Sequence, residues 1–242
     1  MLVIKQAKEE YGYYGFQCLV EAIRLYPDHK GYLYVNDDMI VNWWNFLNLD
    51  KSKIWYRGIV SSLRHSHVMG GSPNRWFKKT NRGLQCSKIY AKMEKNATFN
   101  MTSMFDIYMR NTGNRRICIH TLTDIFYIPS LLAKQFAMIA QIFYDNRLFL
   151  EVSVPMAMYS IDLKQNMIPL SGVYLQSKYK RWGRWTWNTT IAWKEYNRRI
   201  HFLHPYKFFG NDATNNIGKF VEKVAKISNQ IINEKCLDVL TI

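Results

Sequence analysis

The residues with the clearest capacity for chemistry are Asn36, Asp37 and Asp38, which follow directly on the apolar run Tyr32–Leu33–Tyr34–Val35. Ligands in open α/β sheets collect at the carboxyl ends of strands. Two adjacent acids placed there are costly unless a cation balances them. Hard oxygen ligands suit Mg²⁺ or Mn²⁺, and such metals commonly bridge to substrate phosphates. The alternative is a solvated turn in which Asp37 or Asp38 caps the next helix. A second acid, Glu151, stands inside the apolar, β-prone run Phe149–Pro155. Buried in isolation it would have a raised pKa and suit general-base work on a hydroxyl; the alternative is a helix N-terminal charge stabilised by the dipole. A third feature is the basic, Trp-rich stretch Tyr179–Trp187. Its rings could stack on sugars or on the bases of single-stranded nucleic acid, or simply form a twisted hairpin with Gly183 at the bend. His65 and His67 have no acid or Cys at ligand spacing and read as loop histidines. Gly70–Gly71–Ser72 lacks the spacing and the Gly-Lys-Ser/Thr ending of a P-loop.

These residues sit in a chain of 242, with 48% hydrophobic and 21% charged residues. That is a globular composition and excludes a disordered tail. The net charge of +15 calls for an anionic partner and says nothing of fold. Four widely spaced cysteines (Cys18, Cys86, Cys118, Cys236) contain no C-x-x-C, so a zinc knuckle or thioredoxin-like site is not indicated. Two disulfides and four buried thiols are both open readings. Sequons stand at Asn96, Asn100 and Asn188, of which about two arise by chance at ordinary Ser/Thr usage. No signal peptide opens the chain and no apolar run is long enough to span a membrane.

The elements that must position the acids follow from periodicity. Helices are predicted over about residues 5–26, 130–144 and 215–233, the last faced by Ile217, Phe220, Val221, Val224 and Ile231. A short helix is predicted from Met39 to Leu47. Strands are predicted at Tyr32–Val35, Ser52–Tyr56, Ile117–His120, Asp124–Pro129 and Ile200–Pro205. Residues 58–113 read as a loop-rich excursion with one short helix near Gln85–Lys95. Helices alternating with apolar strands predict a single α/β domain over 1–242 with a mostly parallel sheet flanked by helices.

The run from Gly31 to Trp44, with Asn36–Asp37–Asp38 between an aromatic strand and a Trp-bearing segment, resembles the donor-site strand and Asp-x-Asp-type motif of GT-A glycosyltransferases, in particular the STELLO-like and exostosin-like groups. The resemblance implies a GT-A-like (Rossmann-like) fold. It further implies that Asp38 binds Mn²⁺ (or Mg²⁺), which holds the diphosphate of a nucleotide sugar, UDP-sugars being the default. Asn36 and Asp37 would then lie beside the sugar or ribose. The motif here is Asn-Asp-Asp rather than a strict Asp-x-Asp. GT-A enzymes often bring a late His to the same metal and a base to the diphosphate; His204 and Lys207 match by position and chemistry, although a lone His also serves as a turn hydrogen-bonder. Glu151 resembles the acid presented to the acceptor. The order of these features runs from Gly12 to about Lys223. The opening nucleotide-binding strands have no counterpart, so the resemblance reads as N-terminally truncated. A fuller form is expected in the Golgi or secretory lumen, with a membrane anchor outside this chain.

The expectation is a metal-dependent, hexosyltransferase-type enzyme acting on a glycan or protein hydroxyl. A non-catalytic or fragmentary homologue is the first alternative. A basic nucleic-acid module is the second; no RNP run or helix-turn-helix signature supports it, and no nucleic-acid partner is expected.

Overall fold

The computed structural model describes residues 14–58, 61–63, 86–92 except 87 and 90, 99–115, 117–175, 189–208 and 213–240. The chain divides into two compact units, residues 1–34 with 51–169, and residues 35–50 with 170–242.

The first unit opens with α1 (Phe16–Leu25), whose Phe16, Leu19, Val20 and Ile23 are buried at helical spacing. Its predicted beginning before residue 14 lies outside the described residues. Strand β1 (Gly31–Val35), running up to the unit boundary, neighbours β6 (Ile125–Pro129) in a four-stranded sheet of order β1-β6-β3-β7. Here β3 is Trp55–Tyr56 and β7 is Ile168–Pro169. A two-stranded sheet pairs β4 (Ser61–Leu63) with β5 (Cys118–His120), antiparallel. Helix α2 (Phe99–Asn111) precedes β5, and helices α3 (Ser130–Asp145) and α4 (Leu150–Ile161) lie between β6 and β7. The core gathers Phe16 and Ile23 of α1, Phe126 and Ile128 of β6, Phe136 and Phe143 of α3, and Val154 and Met158 of α4.

The second unit holds a three-stranded sheet of order β2-β9-β8: β2 (Ile40–Val41), β9 (Phe202–His204) and β8 (Gly172–Tyr174). A 3-10 turn (Trp43–Phe46) follows β2, and helix α5 (Thr189–Glu195) precedes β9. The chain closes with α6 (Ala213–Phe220), a π-helical segment (Val221–Ala225) and α7 (Lys226–Leu240). This unit has its own core of Ile40, Leu175, Ala192, Leu203, Tyr206 and Val224.

The fold is mixed α/β, as expected, but the sheets are not mostly parallel. Pairs β3–β6, β2–β9 and β4–β5 run antiparallel, whereas β3–β7 and β8–β9 run parallel. The antiparallel pairs join strands that no single crossover helix connects: β2 meets β9 and β4 meets β5 from distant parts of the chain, and β3 enters between β6 and β7, antiparallel to the first and parallel to the second.

Four local readings are corrected. Residues 39–47 form β2 and a 3-10 turn rather than a helix, because Ile40 and Val41 pair with Leu203 and Phe202. Residues 99–111, read as loop, are a helix whose Met104, Tyr108 and Asn111 are buried at i, i+4, i+7. The β-prone run Phe149–Pro155 belongs to α4, which is buried on all sides from Val152 to Ile161 and so shows no polar face. On the closing helices the inward stripe is Asn216 and Val224, both buried, with half-buried Phe220 between them, while Ile217 and Val221 are exposed.

Candidate functional site

The pairing of β2 with β9 assembles the site. With Ile40 opposite Leu203 and Val41 opposite Phe202, the Asn-Asp-Asp turn before β2 lies beside the His204–Lys207 segment after β9. One further main-chain bond extends the ladder, Tyr206 N–H donating to the Asp38 carbonyl at 2.7 Å. All of these residues belong to the second unit.

Of the three residues in the turn, only Asp38 is buried; Asn36 is half-buried and Asp37 exposed. Asp38 Oδ1 stands 3.1 Å from His204 Nε2, and Oδ2 is in contact with Lys207 Nζ. The side chains of Asp38 and His204 are 10% and 7% exposed, so this is a charge cluster largely removed from water. Burial by itself would raise the Asp38 pKa. The His204 hydrogen bond and charge, and then those of Lys207, outweigh it and bring the carboxyl down to about 2. Asp38 is therefore an anion at any physiological pH.

The imidazole is held by its neighbours. Tyr174 of β8, opposite His204 in the parallel register, sets its ring edge-on to His204 at 5.4 Å and packs on Phe202 at 5.1 Å. Gly172 is required opposite Phe202, since a Cβ there would collide with the Phe202 ring. The Tyr206–Lys207 segment is tied down by a residue that the sequence pattern does not single out. Asn216, 1% exposed on α6, donates from Nδ2 to the Lys207 carbonyl at 2.7 Å and accepts the Tyr206 hydroxyl on its own main-chain carbonyl at 2.7 Å. Burial pushes the Tyr206 hydroxyl up to about 12, partly opposed by Trp193, so it stays a donor. No motif announces Asn216. The signal it offers is its spacing with Phe220 and Val224, which its polar side chain masks in a search for apolar faces.

Asn42, fully buried, is a second residue that no sequence motif singles out. Its amide donates to the carbonyls of Asn197 (3.1 Å) and Ile200 (2.8 Å), and its oxygen accepts the Tyr196 hydroxyl (2.9 Å). Asn45 adds bonds to the carbonyls of Arg198 and Ile200. These bonds fix the loop that leads into β9 and so into His204.

Glu151 lies in the other unit. It is half-buried in the first turn of α4, where its charge meets the helix dipole favourably. Its carbonyl has a distinct task. Pro155, four residues on, carries no N–H, and the Glu151 carbonyl instead accepts the Thr121 N–H at 3.0 Å, tying the end of β5 to α4. The stretch Tyr179–Trp187, His65, His67 and Gly70–Ser72 lie outside the described residues.

Asp38 and His204 offer an oxygen and a nitrogen donor within contact of each other, compatible with Mn²⁺ or Mg²⁺. Among the described residues no group of three His, Cys, Asp or Glu could cage a metal by itself. Two donors would leave the remaining positions of a Mg²⁺-type cation to phosphate oxygens and water.

Over 207 residues the chain is 28% identical to the probable glycosyltransferase STELLO1 of Arabidopsis thaliana, a match covering 85% of this chain and 24% of that protein. It is 26% identical over 174 residues to the probable glycosyltransferase STELLO2 of the same plant, covering 71% of this chain and 21% of that one. The chain is related to the STELLO probable glycosyltransferases. It spans about a quarter of the length of these STELLO relatives. No protein-family profile and no solved structure matches it.

Proposed function

We propose that this chain is a glycosyltransferase domain of GT-A type that uses a divalent metal to transfer a sugar from a nucleotide-sugar donor to a hydroxyl acceptor. The observation that carries the reading is the convergence of Asp38, His204 and Lys207 across the β2–β9 pair. The relatives named as probable glycosyltransferases support it. Asp38 and His204 would hold Mn²⁺ or Mg²⁺; bound there, the metal supplies Lewis-acid stabilisation of the leaving diphosphate. Lys207 adds a positive charge for the same anion, and electrostatic stabilisation of this kind is usually the largest catalytic contribution. Asn36 and Asp37, on the exposed side of the turn, would meet the sugar or ribose. Glu151 would position or deprotonate the acceptor hydroxyl. A UDP-sugar is the default donor, and a glycan or protein hydroxyl the acceptor.

A secretory, Golgi-type compartment fits this reading. Cys86 and Cys118 form a disulfide, and such bonds persist in oxidising compartments. Among the described residues no helix is long and apolar enough to cross a membrane.

The test is the thermal midpoint of the purified chain with UDP, with and without Mn²⁺. A ligand that binds only the folded state adds about 2.7 kcal/mol at a hundredfold excess over its Kd. The midpoint should rise only when both are present, and Asp38→Ala should abolish the rise. No rise in the wild-type chain would leave a non-catalytic relative. In a form with demonstrated transfer, Glu151→Gln should lower kcat by about 10²-fold or more, the usual contribution of a general base; unchanged transfer removes Glu151 from the mechanism.

A further inference from the structure

We propose that Lys207 is a resident counter-ion that occupies the cation position at Asp38 and yields it only when a nucleoside diphosphate arrives; this rests on the donor-site reading above. Both carboxylate oxygens of Asp38 are engaged by the chain itself, Oδ1 by His204 Nε2 and Oδ2 by Lys207 Nζ. The carboxylate is nearly excluded from solvent and in contact with the ammonium, which offsets a charge that would otherwise be stranded. A divalent cation approaching Oδ2 meets that ammonium at close range and is repelled.

The geometry lets the ammonium leave without disturbing the site. The Lys207 carbonyl is held by Asn216 Nδ2, and the preceding N–H of Tyr206 is bonded to the Asp38 carbonyl. The main chain is therefore anchored on both sides of the Tyr206–Lys207 peptide. The lysine stem is flexible, and the side chain is 20% exposed, twice the exposure of Asp38. The head can swing outward while its backbone stays fixed. A diphosphate at the mouth of the site would offer it a new anion, leaving the Asp38 carboxylate to a divalent cation. Metal and diphosphate then favour each other, and by linkage each raises the affinity of the other by the same factor. The lysine thus keeps the site closed to free metal, in addition to any contact it makes with the diphosphate.

The experiment measures Mn²⁺ binding by electron paramagnetic resonance or calorimetry, with and without UDP, for the wild-type chain, Lys207→Met and Lys207→Arg. Circular dichroism melts confirm that each is folded. Lys207→Met should bind Mn²⁺ in the absence of UDP about tenfold tighter than wild type, the order of one like charge removed a few ångströms away in a partly solvated site. Its UDP affinity in the presence of Mn²⁺ should fall. Lys207→Arg, which keeps the charge, should bind free Mn²⁺ as weakly as wild type. If Lys207→Met binds Mn²⁺ alone no tighter than wild type while UDP affinity falls, Lys207 is only a phosphate contact and the proposal is overturned. If Lys207→Arg tightens Mn²⁺ as much as Lys207→Met does, charge is not the cause and the proposal is likewise overturned. If no variant binds Mn²⁺ with or without UDP, the donor-site reading itself falls, a result distinct from the first two.

Discussion

At the level of single residues, the site is built as much by hydrogen-bonding asparagines as by the ionisable groups they surround. Asn216 holds the Lys207 carbonyl, and Asn42 holds the carbonyls of Asn197 and Ile200 in the loop that leads into β9. His201 is a further group with a measurable consequence. The Ser171 N–H donates to its Nδ1 at 3.0 Å, and the ring packs on Phe46 at 5.0 Å. Burial pushes its pKa below the ordinary 6.5, because desolvation penalises the charged ring. The unfolded chain therefore takes up a proton at a higher pH than the folded one. The stabilisation is complete above pH 6.5 and is lost as pH falls below that value towards the folded pKa. The wild-type thermal midpoint should drop between about pH 7.5 and 5.5, and His201→Gln should flatten that drop. Equal slopes would show that protonation of this ring does not matter.

At the level of elements, the sequence signal fails where burial is either complete or polar. Helix α4 has almost no exposed face, so its residues look like a strand; Pro155 within it reinforces that impression. Helix α2 is rich in Asn, Thr and Ser, which are weak helix formers. It is stabilised through Met104 and Tyr108 in the core and through Asn111, which donates to the carbonyls of Tyr159 and Asp162. The Cys86–Cys118 disulfide encloses this helix and fastens the preceding chain to β5, with both cysteines buried. Closing a loop with a sequence separation of 32 restricts the unfolded chain by about 3–4 kcal/mol. Cys86→Ser and Cys118→Ser should each lower the denaturant midpoint by a matching amount, and reductant should lower wild type but neither variant. A wild-type midpoint indifferent to reductant would mean that the bond does not form in solution.

At the level of the whole molecule, each compact unit has its own core, and the proposed donor site lies wholly in the unit made of residues 35–50 and 170–242. That unit is assembled from chain segments more than a hundred residues apart. Hydrogen exchange with Mn²⁺ and UDP should therefore protect the amides around Asp38–Val41 and Phe202–Lys207, while β5 and α4 exchange as before. Protection centred on α4 would place the ligand elsewhere. With a net charge of +15, the same experiment at raised salt should keep its pattern and lose amplitude, because surface attraction is screened while the buried cluster is not.

Residue order alone determined a good deal here. The strand before Asn36, the strand Ile125–Pro129 and the apolar face of α3 follow from short continuous apolar runs and a 3.6-residue periodicity, which are local properties of the chain. The acids at the end of that first strand stand out in the sequence because a carboxylate at the end of a buried strand needs a compensating cation. Tertiary structure decided which acid is buried, and that it faces both His204 and Lys207. It also decided that the sheets are mixed, that Cys86 joins Cys118, and that Asn216 rather than Ile217 faces inward. The physical reason is the same in each case. These outcomes depend on pairings between segments far apart in the chain, such as β2 with β9, whose register is set by side-chain packing and hydrogen bonds formed only on folding.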